Sequence, residues 1–117
     1  MVDVHQAAAT YRARVEAEQA RLARRADTLR AAVEVVAAEL RARFGVGRVV
    51  LFGSLARGDH GAGSDVDLAV SGLSNEDYWR ALATASRVLG TDAIDLVRIE
   101  EATPALLETL DYEGVAL

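Results

Sequence analysis

LFGSLARGDHGAGSDVDLAV, residues 51–70, carries a Gly-Ser pair and an Asp-x-Asp sequence separated by ten residues. The β-branched run at residues 48–52 predicts a central strand that ends at the first glycine. The glycine-rich residues 55–64 predict a loop, with one helical turn at its start. Residues 65–70 predict a second strand. Two acidic side chains therefore stand in a segment that otherwise resembles a buried strand.

A helical pattern covers residues 3–44, which contain neither glycine nor proline. Apolar or small residues recur there mostly three, four or seven positions apart, as they do on one face of a helix. Glu18 and Arg25 interrupt this stripe, so the second half is the expected core helix. Asp27 could cap a second helix, or the stripe could run straight through, and the sequence leaves both open.

The segments after the second strand alternate between helix and strand. A capping box formed by Ser74 and Asp77 predicts a helix that stops at Gly90. Residues 93–99 predict a third strand. Thr103, followed by the chain's single proline, predicts the start of a short last helix. The expected order is therefore α-β-β-α-β-α.

Length and composition set limits on the architecture. A chain of 117 residues fits one domain, and 51% hydrophobic with 26% charged residues is the balance of a packed globular protein. We expect an α/β (α+β) fold, in which a small mixed β-sheet is flanked by helices. Residues 1–26 are the expected helical extension, and residues 27–117 are the expected domain.

Charge and residue usage also limit the partners. A formal charge of −5 argues against a nucleic-acid partner, because binding to phosphate backbones needs dense cationic contacts. The absence of cysteine from the sequence excludes disulfides and thiolate metal sites. No run approaches the roughly 18 apolar residues of a membrane span, and the first residues lack the apolar core of a secretory signal. We expect a cytoplasmic chain without membrane contact.

Asp65 and Asp67 are candidate metal ligands. Residues two apart on a strand face the same side, so the two carboxylates project together. Carboxylates that close repel each other unless a cation lies between them. Oxygen ligands with open positions favour Mg²⁺ over zinc. A bare Asp-x-Asp also fits an edge strand with its acids in water, so the neighbouring residues carry the argument.

The neighbouring residues predict a phosphate site beside this pair. Gly53 and Ser54 directly follow a strand, where a glycine lets the backbone approach a ligand and the following amides can bind an anion. Asp95 is a third acid that points to the same place if the third strand pairs with the second. Arg98 is a further candidate for phosphate, with a solvated surface arginine as the alternative.

Gly-Ser, ten residues, Asp-x-Asp and a later strand aspartate resemble the minimal nucleotidyltransferases (MNT) of the DNA polymerase beta superfamily. The resemblance covers about three quarters of the chain, from residue 29 onwards. It implies a nucleotidyltransferase fold that uses ATP or another NTP together with Mg²⁺. It also implies the site residues, which are Gly53, Ser54 and Arg57 for phosphate and the three acids Asp65, Asp67 and Asp95 for metal binding and catalysis.

The resemblance further implies transfer of AMP to a hydroxyl of a partner protein, because minimal nucleotidyltransferases pair with HEPN-domain toxins as their antitoxins. A catalytically silent binding antitoxin and an aminoglycoside-type small-molecule transferase are the alternatives. The intact acids disfavour the former, and the lack of a second domain disfavours the latter. We also expect residues 1–26 to form a helix that packs on another chain, either the toxin or a second copy, with packing on its own domain as the alternative.

Overall fold

The structure, a computed structural model, describes residues 3–117, so the first two positions of the predicted extension lie outside the described residues. Its helices and strands follow in chain order as α1 (Val4–Phe44), β1 (Val49–Phe52), α2 (Gly53–Arg57), β2 (Val66–Val70), α3 (Tyr78–Leu89), β3 (Ile94–Arg98), a 3₁₀ turn (Ile99–Glu101), α4 (Pro104–Glu113) and β4 (Val115–Ala116). Within that part of the chain, no helix combines the length and apolar character that crossing a bilayer requires.

The strands form one mixed sheet in the order β3-β2-β1-β4. β1 is antiparallel to both β2 and β4, whereas β2 and β3 run parallel. The predicted pairing of the second and third strands is therefore confirmed. The sequence did not predict β4, which is only two residues long and has no strand pattern of its own.

The two faces of the sheet are covered differently. The core face packs against α1 and α3, and alternate residues of β2, Val66, Leu68 and Val70, are buried there. The site face carries the intervening residues and a smaller apolar cluster, which consists of Val50, Phe52, Ala69 and Leu110. Leu110 is the buried leucine of α4. The alternation follows from the two-residue period of a strand.

α1 is one unbroken helix of 41 residues. Its first turn is capped by Asp3, whose carboxylate accepts a hydrogen bond of 2.9 Å from the backbone N–H of His5. Asp27 caps no second helix and instead pairs with Arg30 one turn on. Of the two options that the sequence left open at this position, the continuous helix is the one found.

The two ends of α1 differ in what surrounds them. The core-facing stripe is buried and consists of Ala26, Leu29, Val33, Val36, Ala37 and Leu40. Residues 4–25, which we call the arm, are exposed except for the half-buried Leu22. At a rise of about 1.5 Å per residue, a helix of this length spans about 60 Å. It accounts for the 64 Å longest dimension of the chain.

Several element boundaries differ from the predicted ones. Ser74 accepts a hydrogen bond of 3.1 Å from the N–H of Asp77, but the helix begins only at Tyr78. The Asp77 carboxylate pairs with Arg80 instead of completing the capping box, so the bond closes a turn. The predicted helix end at Gly90 and the Thr103 cap are confirmed.

Candidate functional site

β2 and β3 bring two of the predicted acids together. Asp67 and Asp95 are direct partners in the parallel register. The residues that follow them, Leu68 and Leu96, are buried in the main core, so both acids belong to the site face. Asp65 stands exposed one residue before β2 begins. Asp67 and Asp95 therefore lie side by side at one end of the two strands, and Asp65 precedes Asp67 by two residues in the chain.

Gly53 touches this acidic pair. It follows β1 with φ of +74°, and a Cβ atom built on it would lie 2.0 Å from Oδ2 of Asp67. The contact arises because the antiparallel register pairs the preceding residue, Phe52, with Asp67. A residue other than glycine would meet both a strained backbone and a steric clash. The Gly-Ser turn and the aspartates are thus one site.

The electrostatics of the site show a shortage of positive charge. Burial, followed by the nearby carboxylates of Asp95 and Asp65, raises the pKa of Asp67 to about 6, against a smaller lowering by Arg57. A cation among these oxygens would offset the carboxylate repulsion that contributes to this raised pKa.

Glu113, which the sequence analysis did not identify, lies on the phosphate side of the site. Its carboxylate accepts hydrogen bonds from the backbone N–H of Gly53 at 3.2 Å and from Nη1 of Arg57 at 3.1 Å. These two groups, both predicted to hold phosphate, already hold an anion of the protein itself. The only sequence signal near Glu113 is the glycine that ends α4, which says nothing about a partner so distant along the chain.

The sequence matches the polymerase beta nucleotidyltransferase family over residues 34–117. The chain belongs to this family. No curated protein matches it significantly.

Solved structures agree with this membership. A minimal nucleotidyltransferase is 37% identical with a TM-score of 0.67, and the match covers 79% of this chain and 95% of that one. A chain of a toxin–antitoxin complex with AMP-PNP is 26% identical with a TM-score of 0.60, covering 73% and 68%. A chain from the complex of a tri-AMPylated Shewanella oneidensis HEPN toxin with an MNT antitoxin is 23% identical with a TM-score of 0.58. The match covers 75% of this chain and 70% of that one, and at this identity it supports the fold alone.

In this nucleotidyltransferase-family chain, Ser54 lies in the first turn of α2. Its hydroxyl is hydrogen-bonded to Nδ1 of His60 at 3.1 Å. Burial lowers the pKa of His60, and the positive charges of Arg25 and Arg30 lower it further. The lowered pKa favours the neutral imidazole, and its hydrogen bond to Ser54 joins the Gly-Ser turn to the loop that leads to Asp65.

Arg98 is held away from the Gly-Ser turn. Its Nε donates to the carbonyl oxygen of Leu73 at 2.7 Å, and its Nη1 pairs with Glu101 at 2.6 Å. These bonds fasten the end of β3 to the segment before α3. Of the two arginines proposed for phosphate, the structure places Arg57 beside Gly53 and gives Arg98 a structural role.

The donor set suits a hard divalent cation. The acids offer only carboxylate oxygens, which Mg²⁺ accepts in ones or twos while phosphate oxygens and water complete its shell. Within residues 3–117, no three His, Cys, Asp or Glu side chains are gathered closely enough to form a cage for a metal ion. A magnesium site here would therefore need oxygens from a bound nucleotide, and assignment of the metal to Asp65, Asp67 and Asp95 remains a prediction.

Proposed function

We propose that this chain transfers a nucleoside monophosphate, AMP from ATP, to a hydroxyl of a HEPN-domain partner protein and thereby silences a toxin. The observation that supports it best is the contact of the Gly53 turn with Asp67, which Asp95 flanks in the sheet. One side of this contact suits phosphate and the other suits a metal ion. In this proposal residues 27–117 are the transferase domain and residues 1–26 are an extension.

Each side of the contact has its own task. The backbone N–H of Gly53, the Ser54 hydroxyl and the Arg57 guanidinium bind the phosphates of the nucleotide, for which Glu113 moves aside. The carboxylates of Asp65, Asp67 and Asp95 hold Mg²⁺. When bound, Mg²⁺ neutralises the charge of the triphosphate and aligns the attacking and leaving oxygens.

The reaction needs no reactant other than ATP and the acceptor hydroxyl. The hydroxyl oxygen of the acceptor forms a bond to the α-phosphorus of ATP, and the bond from that phosphorus to the bridging oxygen breaks. Pyrophosphate leaves. Asp95 is exposed at the edge of the acidic cluster, where it can accept the hydroxyl proton.

An open site supports a macromolecular acceptor. A groove of about 980 Å³ runs along α4 on the phosphate side of the site, and its lining residues are Arg57, Glu113 and five further α4 residues but none of the three acids. In the described part of the chain no second domain encloses this groove, as a small acceptor would require. The similarity to a chain of a toxin–antitoxin complex with AMP-PNP supports a toxin as the partner and an adenine nucleotide as the ligand.

One observation favours a second candidate, a silent antitoxin that binds its toxin without modifying it. Glu113 occupies the groups that a phosphate would need. A chain whose phosphate site stays blocked would bind no nucleotide, although it could still cover a toxin.

Calorimetry with the four NTPs in Mg²⁺ separates the two candidates at the level of binding. The proposal predicts binding of ATP that is lost in Asp65→Asn and Asp67→Asn, while Asp27→Asn, the same change at an exposed carboxylate, binds normally. In cells that express the toxin, both site variants should lose protection. Protection that survives both substitutions favours the silent antitoxin. If the chain binds no NTP, with or without the partner, the transferase proposal is rejected.

A further inference from the structure

The arm has an apolar stripe that nothing in the described chain covers. Its apolar residues are spaced three, four or seven positions apart, so they continue the stripe that α1 buries against the sheet. They are Val4, Ala8, Tyr11, Val15 and Leu22. Val4 is 76% exposed, Tyr11 69% and Val15 37%. The same helix face that forms the core at one end is therefore presented to solvent at the other.

Arginines border this stripe. At about 3.6 residues per turn, Arg12 lies on one flank, and Arg14 and Arg21 lie on the other. The arm as a whole carries five arginines and only two glutamates, whereas the whole chain has a formal charge of −5. Arg21 pairs with Glu18 at 2.6 Å, so Arg12 on one side and Arg14 on the other carry the positive charge that a partner would meet beside the apolar stripe.

This charge pattern disfavours the arm of a second copy as the occupant. Helices that pair through such stripes place their flanking residues opposite each other, where opposite charges are favourable. Two copies of the arm would place arginine flanks against arginine flanks in either orientation.

The arm leaves the domain beside the candidate site. Leu22 and Arg25, at its base, line a cavity of about 70 Å³ together with His60 and Ser64. Ser64 directly precedes Asp65, and His60 is the hydrogen-bond partner of Ser54. The family match begins only at residue 34, so the arm lies outside the part of the chain that the family shares. A protein bound along the arm would lie next to the site without belonging to it.

We propose that the arm is the docking surface for the acceptor protein, which packs on it with a helix whose apolar stripe is flanked by aspartate and glutamate. Complementary charge sets the choice of partner, and the position of the arm brings that partner's hydroxyl to the acidic cluster. This inference rests on the proposed transfer to a protein.

Two matched pairs of variants test it. Val15→Asp puts a carboxylate on the stripe, and Ala13→Asp puts one on the opposite side of the same exposed helix. Arg14→Glu reverses a flanking charge, and Arg24→Glu reverses one on the back. The affinity of each variant for the HEPN-domain protein of the same genome is measured by calorimetry, and the affinity for ATP is measured on the isolated chain.

Val15→Asp and Arg14→Glu should weaken the complex about tenfold or more, as loss of a central interface contact does. Ala13→Asp and Arg24→Glu should stay within about twofold, and ATP binding should be unchanged in all four. Equal effects within either pair overturn the docking surface, as does failure of the unaltered chain to bind the HEPN-domain protein. A dimer of the unaltered chain that Val15→Asp dissociates would assign the arm to a second copy. If the unaltered chain transfers no nucleotide but Val15→Asp and Arg14→Glu still weaken the complex, the docking surface stands and the proposed transfer is rejected.

Discussion

The two faces of the sheet use the same strands for different purposes. On the core face, Leu68 and its neighbours are buried between α1 and α3 in one large apolar cluster. On the site face the apolar cluster is small, and the strand ends beyond it carry Asp67 and Asp95. Buried apolar area stabilises a fold, whereas half-buried like charges destabilise it. The core face therefore supplies the stability that allows the site face to hold its acids together.

The largest expected difference between the faces is in transfer activity. Asp67→Asn should lower the rate of nucleotide transfer by about 10³-fold or more, because it removes charge from the acids that we propose to hold the metal ion. Asp27→Asn makes the same change at an exposed carboxylate on α1 and should keep full activity. The rate is measured with purified chain and HEPN-domain partner at saturating ATP. Similar rates in both variants would mean that the acids of the site face have no catalytic part.

Leucine truncation on each face should reveal the difference in stability. Leu40→Ala, fully buried in the main cluster, should lower the free energy of unfolding by about 4 kcal/mol. Leu110→Ala on the site face should cost only about 2 kcal/mol, because its cluster is small and α4 can close in on the gap. Urea denaturation measures both. Equal losses would contradict the view that the core face carries most of the stability.

Alanine substitution at two glycines with similar φ angles should distinguish backbone strain from steric contact with Asp67. Gly45 has φ of +66° with no atom within 4 Å of a built Cβ, whereas Gly53 has φ of +74° with Asp67 in the way. Gly45→Ala should cost about 1 kcal/mol of stability, which is the strain alone. Gly53→Ala should cost about 2 kcal/mol more and also weaken ATP binding. If thermal unfolding gives the same loss for both, Asp67 can move aside, and the Gly53 contact does not fix the site.

The acidic site should also leave a signature in the pH dependence of stability. The pKa of Asp67 is raised from 3.8 to about 6, so the folded state holds the proton more tightly than the unfolded state. The resulting contribution is fully present below pH 3.8 and is lost as the pH rises through about 6. Without metal, the free energy of unfolding should fall over this range by on the order of 1 kcal/mol relative to Asp67→Asn, after allowance for solvent screening. Parallel curves for the two proteins would mean that Asp67 titrates normally.

The smallest expected effect concerns Glu113. Glu113→Gln keeps the size of the side chain but removes the charge that competes for Gly53 and Arg57. ATP should then bind about threefold more tightly, a gain that corresponds to less than 1 kcal/mol. Glu76→Gln, the same change at an exposed carboxylate before α3, is the control. Weaker binding in Glu113→Gln would mean that the carboxylate supports the phosphate site instead of occupying it.

How far the sequence predicted this molecule depends on the distance over which each feature acts. The strands around Gly53 and Asp67, the Thr103 cap and the helical stripe of α1 rest on neighbouring residues, and the sequence predicted them. Glu113 and β4 depend on contacts between the two ends of the domain, and no local pattern reports those. The predicted capping box at Ser74 was wrong because the Asp77 carboxylate forms a salt bridge with Arg80, which is a stronger interaction than a bond to the backbone N–H of Ser74.

The exposed arm marks another limit of sequence patterns. Its stripe has the same spacing as the buried stripe further along α1, so periodicity predicted a helix in both places. Spacing alone does not say whether a surface lies opposite the stripe. In the fold, the domain covers the stripe at Ala26 and the buried residues after it, whereas the stripe of the arm is exposed.

The most direct test of the account is the intact mass of the HEPN-domain partner after incubation with this chain, ATP and Mg²⁺. The account predicts a mass increase of one or more adenylyl groups, absent when Asp67→Asn replaces the unaltered chain and present with Asp27→Asn. An unmodified partner with each of the four NTPs, in a mixture where the two proteins are shown to form a complex, would contradict it.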